Sequence, residues 1–177
     1  MRVNALVRAA VMAALMAVCA WITIPAAVPF TMQTFAVFLA VGVLGGRLAT
    51  LSVGVYLLLG AVGLPVFSGF SGGLGRFAGA TGGYLLGFLL IALVMWGGEA
   101  LLGRRPAVFL LSGGLGLAAC YAFGTAWYVL VYTVSGGPVE MMSVLWACVF
   151  PFLLPDGGKL ALALMVSRRL APALARA

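Results

Sequence analysis

Long apolar stretches separated by short polar segments dominate this chain. A membrane-crossing helix needs roughly 17 to 25 residues to span ~30 Å of hydrocarbon, and six stretches approach that length. They cover residues 5–24, 31–45, 48–64, 83–102 and 106–133, and a last stretch ends before Arg168. Proline blocks helix continuation from its N-terminal side. Because Pro151 and Pro155 interrupt the last stretch, we predict a short helix over 143–150 and a final spanning helix that begins at Pro155 or Asp156.

The composition places this pattern in a bilayer. Apolar residues make up 65% of the chain and charged residues 7%, whereas soluble domains are about half apolar and about a quarter charged. We therefore predict an all-α integral membrane protein with six transmembrane helices, folded as a single domain over residues 1–177. The net charge of +7 does not indicate nucleic-acid binding, because the basic residues fall in ones and twos between apolar runs and do not cluster on one wetted face.

The distribution of basic residues predicts the orientation. Eight of the ten lie in alternate loops on one side: Arg2, Arg8, Arg47, Arg104, Arg105, Arg168, Arg169 and Arg176. By the positive-inside rule that side is cytoplasmic. Both termini are then cytoplasmic, in the plasma (inner) membrane, and the loops at 23–30, 65–82 and 134–140 face outward.

Several classes of chemistry are excluded. Cys19, Cys120 and Cys148 lie far apart in apolar segments, and the chain has no histidine, so no zinc or disulfide pattern is present. Leu160 follows Gly158-Lys159 where a Walker A loop needs Ser or Thr. We predict no catalytic residues, metal or cofactor; the chain is not an enzyme and does not hydrolyse ATP itself.

Small residues recur at four-residue spacing in three predicted helices, a pattern that allows close helix contact in lipid. The stripes are Ala9, Ala13 and Ala17; Gly79, Gly83 and Gly87; and Gly116, Cys120 and Gly124. Packing inside the protein explains most such stripes, and an external partner helix is the alternative for the alanines.

The segment "PFLLPDGGK" carries the candidate functional pair, Asp156 and Lys159, at positions i and i+3 on one helical face. Ionisable residues at membrane depth cost about 2.5 to 3.5 kcal/mol on insertion scales and usually line a cavity. The first turn of a helix also attracts anions. A purely structural ion pair is the alternative.

The outward loops add polar and aromatic groups on the same side. A small-molecule site usually combines an apolar pocket with a few directed polar groups. The candidates are Gln33, Thr34, Phe67, Ser68, Arg76, Tyr84 and Trp127, with Thr31 as a helix cap. The glycine-rich backbone around Arg76 predicts a loop that packs closely on a ligand.

Three segments resemble the biotin-specific S component of energy-coupling-factor (ECF) transporters, the BioY family. They are "TIPAAVPFTMQTF", "LLLGAVGLPVFSGFSGGLGRFAGATGGYLLGF" and "PFLLPDGGK". The resemblance implies the ECF S-component fold, an outward-open vitamin pocket, and a membrane T subunit coupled to two cytoplasmic ATPases. It implies biotin contacts from Asp156 and Lys159, and from Arg76, and contacts of Ala9, Ala13 and Ala17 with the T subunit.

Two other functions stay open on the sequence. The same scaffold could bind another vitamin, such as riboflavin or thiamine, although these need wider aromatic surfaces. A non-transport membrane scaffold protein, in which Asp156 and Lys159 merely pair, would show no saturable ligand.

Overall fold

The computed structural model describes residues 3–136 and 140–174, and this part of the chain is almost entirely helical. The helices are α1 Val3–Trp21, α2 Gln33–Leu44, α3 Gly46–Ala61, α4 Gly75–Ala78, α5 Gly82–Leu102, α6 Pro106–Gly136, α7 Met141–Cys148 and α8 Phe150–Leu174. Two short antiparallel strands, β1 Thr23–Ile24 and β2 Phe30–Thr31, form a hairpin between α1 and α2, with Thr23 opposite Thr31. Arg2 and Arg176, and the middle of the predicted 134–140 loop, lie outside the described residues.

Four apolar stretches are long enough to cross a membrane: Val3–Trp21, Gly82–Leu102, Pro106–Val134 and Met141–Leu170. The apolar helices α2 and α3 are shorter, with 12 and 16 residues, or ~18 and ~24 Å at 1.5 Å per residue. Length therefore supports four of the six predicted spans. Crossing of the membrane by α2 and α3 stays a prediction.

Helix α2 lies at the centre of the fold. It contacts α1, α3, α5 and α8, and eight of its twelve residues are buried. A helix that is apolar on all sides is stable only when neighbours cover it all round. Because α2 reaches four other helices, polar side chains in its first turn can meet groups from several parts of the chain.

The glycine stripes pack α5 against α6, as the small-residue spacing predicts. A Cβ on Gly87 would lie 2.4 Å from Cys120 Sγ, and one on Gly124 would lie 2.3 Å from the Tyr84 ring. A Cβ on Gly83 would lie 2.3 Å from the Trp127 Cβ. These positions leave no room for a side chain, so the two backbones approach closely.

The predicted start of the last helix is wrong. Helix α8 begins at Phe150 and includes both Pro151 and Pro155, while α7 covers most of the short helix expected at 143–150. Pro151 is tolerated because the first four N–H groups of a helix have no partner within it. Pro155 is the sixth residue of α8, so it removes one backbone hydrogen bond from the helix. Asp156 is therefore well inside α8, and the free amides of a first turn do not contribute to its site.

The loop after α3 folds back onto that helix. Phe67 is fully buried, and its ring makes edge contacts with Tyr56 and Phe77 at 5.5 Å between centroids. Gly60 lies directly beneath it: a Cβ there would be 1.9 Å from Phe67 Cζ. The Gly73 N–H also donates to the Gly60 carbonyl at 2.7 Å. Phe67 therefore anchors the glycine-rich loop to α3.

Gly60→Ala is expected to destabilise the protein by about 1–3 kcal/mol, because the added methyl group must displace a fully buried aromatic ring. Gly54→Ala is the matched control, since Gly54 lies on the same helix with nothing within 4 Å of an added Cβ. Apparent melting temperatures in detergent compare the two. Equal melting temperatures would show that Phe67 shifts freely.

Candidate functional site

Asp156 and Lys159 form a buried ion pair on one face of α8. Lys159 Nζ lies 2.7 Å from Asp156 Oδ1, and the two residues are only 3% and 6% exposed. The i, i+3 spacing brings the two side chains together on one helical face. Because both charges are withdrawn from solvent, each needs further hydrogen bonds.

Two helices supply those bonds to Asp156. Thr34, in the first turn of α2, donates to Asp156 Oδ1 at 2.9 Å, and the Tyr121 hydroxyl of α6 donates to Oδ2 at 2.6 Å. Asp156 thus accepts three hydrogen bonds, one of them from Lys159. A carboxylate has about four acceptor positions, so Asp156 retains capacity for one more donor.

Lys159 is held by the hairpin that precedes α2. Its ammonium group donates to the Thr31 carbonyl at 2.7 Å and lies 4.0 Å from the centre of the Phe30 ring. The Thr31 hydroxyl donates to Gln33 Oε1 at 2.9 Å and accepts from the Gln33 backbone N–H at 3.2 Å. Met32, and not Thr31 as predicted, holds the N-cap position of α2. The Thr31 hydroxyl still accepts from the first N–H of the helix, and its carbonyl orients Lys159.

A small cavity of about 40 Å³ lies beside the pair, with room for only a few water molecules. Its walls are mainly apolar and aromatic, and its polar groups converge at Asp156. The lining residues are Val28, Pro29, Thr31, Thr34, Tyr84, Phe88, Leu117, Cys120, Tyr121, Cys148, Phe152, Asp156 and Lys159. Val28 and Pro29 come from the β1–β2 hairpin, so this hairpin forms one wall.

Four of the nine predicted binding residues meet at this cavity: Thr34, Tyr84, Asp156 and Lys159. The Tyr84 hydroxyl lies 3.0 Å from Thr125 Oγ1. These four come from α2, α5 and α8, which are distant in sequence. The predicted clustering of polar groups around the ion pair therefore exists.

The other five predicted residues do not line the cavity. The Gln33 amide bonds to Thr31 and to the Tyr56 hydroxyl, and Trp127 Nε1 donates to the Gly79 carbonyl at 3.1 Å. Phe67 packs inside the protein, and the Ser68 carbonyl accepts from Ser71 Oγ at 2.7 Å. These four residues make contacts within the protein.

Arg76, the fifth of these residues, differs from the others. It lies in the short helix α4 of the glycine-rich loop, and its buried Nε has no hydrogen-bond partner among the described residues. A buried donor left unpaired costs about 1–3 kcal/mol. Arg76 therefore has an unmet requirement for an acceptor.

Tyr121 is the contact of Asp156 that the sequence interpretation missed. Its hydroxyl reaches Asp156 from 35 positions away. A single phenol in an apolar predicted helix is a weak signal, because tyrosine also marks membrane interfaces. The sequence does not show which side of α6 faces Asp156. In the folded protein α6 is oriented so that Tyr121 faces the carboxylate.

The groups at this site can form hydrogen bonds and apolar contacts. Asp156 offers a charged acceptor, flanked by a tyrosine and a threonine, at the end of an apolar chamber. Within residues 3–136 and 140–174, no group of three or more His, Cys, Asp or Glu side chains could hold a metal ion. The arrangement suits a small ligand that has N–H donors on an apolar ring.

A sequence model of the BioY family matches residues 1–176. This chain belongs to the BioY family. A protein named "Biotin transporter BioY" from Thermotoga maritima is 42% identical over 169 residues, covering 93% of this chain and 94% of that protein. The "Probable biotin transporter BioY" of Pyrococcus horikoshii is 40% identical and covers 81% of this chain and 80% of its own length.

The fold agrees with this BioY assignment. A solved structure described as the S-component for biotin from an ECF-type ABC transporter superposes with a TM-score of 0.81 at 24% identity. The match covers 96% of this chain and 94% of that one. This BioY chain therefore has the ECF S-component fold.

The alanine stripe of this BioY chain faces inward. Ala9, Ala13 and Ala17 are 3%, 2% and 7% exposed, and α1 contacts α2 and α3. Packing within the protein accounts for their spacing. Contact of these alanines with a T subunit stays a prediction.

Proposed function

We propose that this chain is the biotin-binding, membrane-translocating S component of an ATP-driven vitamin uptake system. The observation that carries the proposal is the buried Asp156 carboxylate, which lies on the wall of an apolar chamber with one acceptor position unused. Membership of the BioY family supports the choice of biotin.

The chemistry of biotin matches this chamber. Its ureido ring carries two N–H donors, its thioether ring is apolar, and its valerate chain ends in a carboxylate. We assign one ureido N–H to Asp156 and the thioether ring to the apolar wall formed by Phe88, Leu117 and Phe152. A charge-assisted hydrogen bond of this kind contributes about 1.5–3 kcal/mol.

Lys159 or Arg76 is proposed to face the valerate carboxylate. Arg76 has the stronger support, because its buried Nε has no partner in the described part of the chain, whereas Lys159 already donates to Asp156 and to Thr31. A guanidinium also binds a carboxylate with two parallel hydrogen bonds. Lys159 would then act mainly by orienting Asp156.

Ligand entry requires the chamber to widen. At about 40 Å³ it is far below the ~300–1,000 Å³ usual for small-molecule sites. The segment 25–29 between β1 and β2 supplies Val28 and Pro29 to the wall and lies outside the regular helices. Displacement of this segment would open the chamber with little loss of helix packing.

The transport context is also a proposal. The ion pair lies near the start of α2 and α5, whereas Arg104 and Arg105 follow the end of α5 and Arg168 lies near the end of α8. The positive-inside rule then places the chamber outward and both termini in the cytoplasm of a plasma (inner) membrane. A membrane T subunit and two cytoplasmic ATPases would drive inward delivery.

A dissociation constant for biotin, measured on the purified chain in detergent, tests the binding function. Saturable binding with one site per chain, unaffected by excess riboflavin or thiamine, is the expected result. Displacement by another vitamin would reassign the ligand. The absence of any saturable vitamin would favour the scaffold alternative.

A further inference from the structure

A second, larger cleft lies at the opposite end of the helices. Its volume is about 460 Å³, roughly the size of sites that bind small molecules. It is formed by α1, α2, α5, α6, α8 and the turn between α5 and α6. The chamber beside Asp156 is lined by the other ends of α2, α5 and α8, so the two sites are separate.

Four arginines converge on this cleft: Arg8, Arg104, Arg105 and Arg168. Arg104 is already engaged, since its Nε lies 3.3 Å from Glu99 Oε1 and its Nη2 donates to the Gly42 carbonyl at 3.0 Å. Glu99 is also occupied, because its Oε2 accepts from the Gly46 N–H at 2.7 Å. Arg104 and Glu99 thus neutralise each other's charge and stabilise this wall of the cleft.

The remaining three arginines leave the cleft with uncompensated positive charge. Arg8, Arg105 and Arg168 are exposed, and no acceptor among the described residues bonds to any of their three side chains. The cleft also receives the amino end of α6, which begins at Pro106 and carries partial positive charge. An anion is therefore favoured over a neutral or zwitterionic group.

Apart from Glu99, Ser112 and Ser167, the rest of the cleft wall is apolar. Val41, Val108, Phe109 and Leu164 line it, next to helices whose outer faces carry exposed leucines such as Leu110 and Leu111. An inorganic ion would leave this apolar surface unused. An amphiphile with a phosphate at the arginines and a chain along the helices would cover both parts.

The geometry points to a binding site for one anionic phospholipid. Its phosphodiester would lie between Arg105 and Arg168, and its glycerol and first acyl carbons against Phe109 and Leu164. Basic pockets between membrane helices on the cytoplasmic side are a known setting for anionic headgroups. This site would tie α6 to α8 at the end remote from the vitamin chamber, and it is independent of biotin binding.

Two variants and a matched control test this site in the purified, delipidated full chain. Arg105→Gln and Arg168→Gln remove two of the converging charges. Arg169→Gln removes a neighbouring exposed charge on the same helix that does not line the cleft. Native mass spectrometry then measures the binding of phosphatidylglycerol and of phosphatidylcholine to each protein.

The parent is expected to retain one phosphatidylglycerol in preference to phosphatidylcholine. Each cleft variant should weaken that binding about fivefold, on the usual free energy per basic residue at an anionic surface. A double variant that combines Arg105→Gln with Arg168→Gln should weaken it about 25-fold. Arg169→Gln should match the parent. Melting temperatures without lipid confirm that all variants fold.

Three outcomes would overturn the proposal. Equal retention of phosphatidylcholine would remove the charge requirement. An equal loss in Arg169→Gln would show diffuse attraction with no specific site. Displacement of phosphatidylglycerol by inorganic phosphate or glycerol 3-phosphate at equal concentration would assign the cleft to a soluble anion.

Discussion

Asp156→Asn is expected to weaken biotin binding by at least one order of magnitude. The carboxylate accepts from Lys159, Thr34 and Tyr121, and we propose that its remaining acceptor position receives a ureido N–H. The substitution keeps the shape of the side chain but removes the charge and replaces one acceptor oxygen by a donor. Loss of a hydrogen bond to a charged group corresponds to about 1.5–3 kcal/mol. Isothermal titration of the purified variant in detergent measures the change.

Tyr121→Phe provides a graded comparison for this experiment. It removes one hydrogen bond to Asp156 Oδ2 but leaves the carboxylate charged, so its effect on biotin affinity should be smaller. Tyr132→Phe, on the exposed face of the same helix, should leave the affinity unchanged. If Asp156→Asn bound biotin as tightly as the parent, the proposed role of the carboxylate would be wrong.

Lys159→Met is expected to destabilise the protein by about 3–5 kcal/mol, the usual loss when one partner of a buried ion pair is removed. Methionine preserves most of the side-chain volume, so the loss reports the ammonium group. Without it, Asp156 would be a buried carboxylate with only two neutral donors, Thr34 and Tyr121. Unfolding of the purified protein in a denaturing detergent, monitored by circular dichroism, measures the change.

The double variant that combines Lys159→Met with Asp156→Asn completes the cycle. It leaves neither charge unpaired, so its stability should lie well above that of Lys159→Met. If Lys159→Met were as stable as the parent, the pair would contribute nothing to folding.

Binding of biotin and of its methyl ester to Lys159→Ala separates two roles of the lysine. Equal losses of affinity for the two ligands would indicate a structural role. A larger loss for biotin would place Lys159 near the ligand carboxylate.

The local sequence was sufficient to predict the ion pair because its chemistry depends on short-range spacing. Two charges three residues apart in a helix share a face in any fold, and the apolar flanks made their burial expected. The close packing of α5 against α6 was predictable for the same reason. Small residues at four-residue spacing lie on one face of a helix, and that face can approach another helix closely.

Long-range contacts limited the rest of the prediction. Phe67 and Trp127 look like ligand-facing aromatics in sequence, but Phe67 packs over Gly60 and Trp127 over Gly83. Whether these two side chains point towards a ligand or into the protein depends on how the glycine-rich loop packs against the helices. The start of α8 was misplaced because a proline that a helix includes and a proline that ends or begins one look identical in sequence.

Composition alone was enough to identify a helical membrane protein, because no soluble domain of this size could bury so many apolar residues, and local spacing was enough to put Asp156 and Lys159 on one helical face. What surrounds these two residues depends on the packing of the whole chain. The Tyr121 hydroxyl and the Thr31 carbonyl reach the ion pair from distant segments, and residues of several segments line the small chamber beside it. These groups come together only through the rotation and packing of the helices. The arginine cleft arises in the same way, since arginines spaced for membrane topology converge only when five helices pack together.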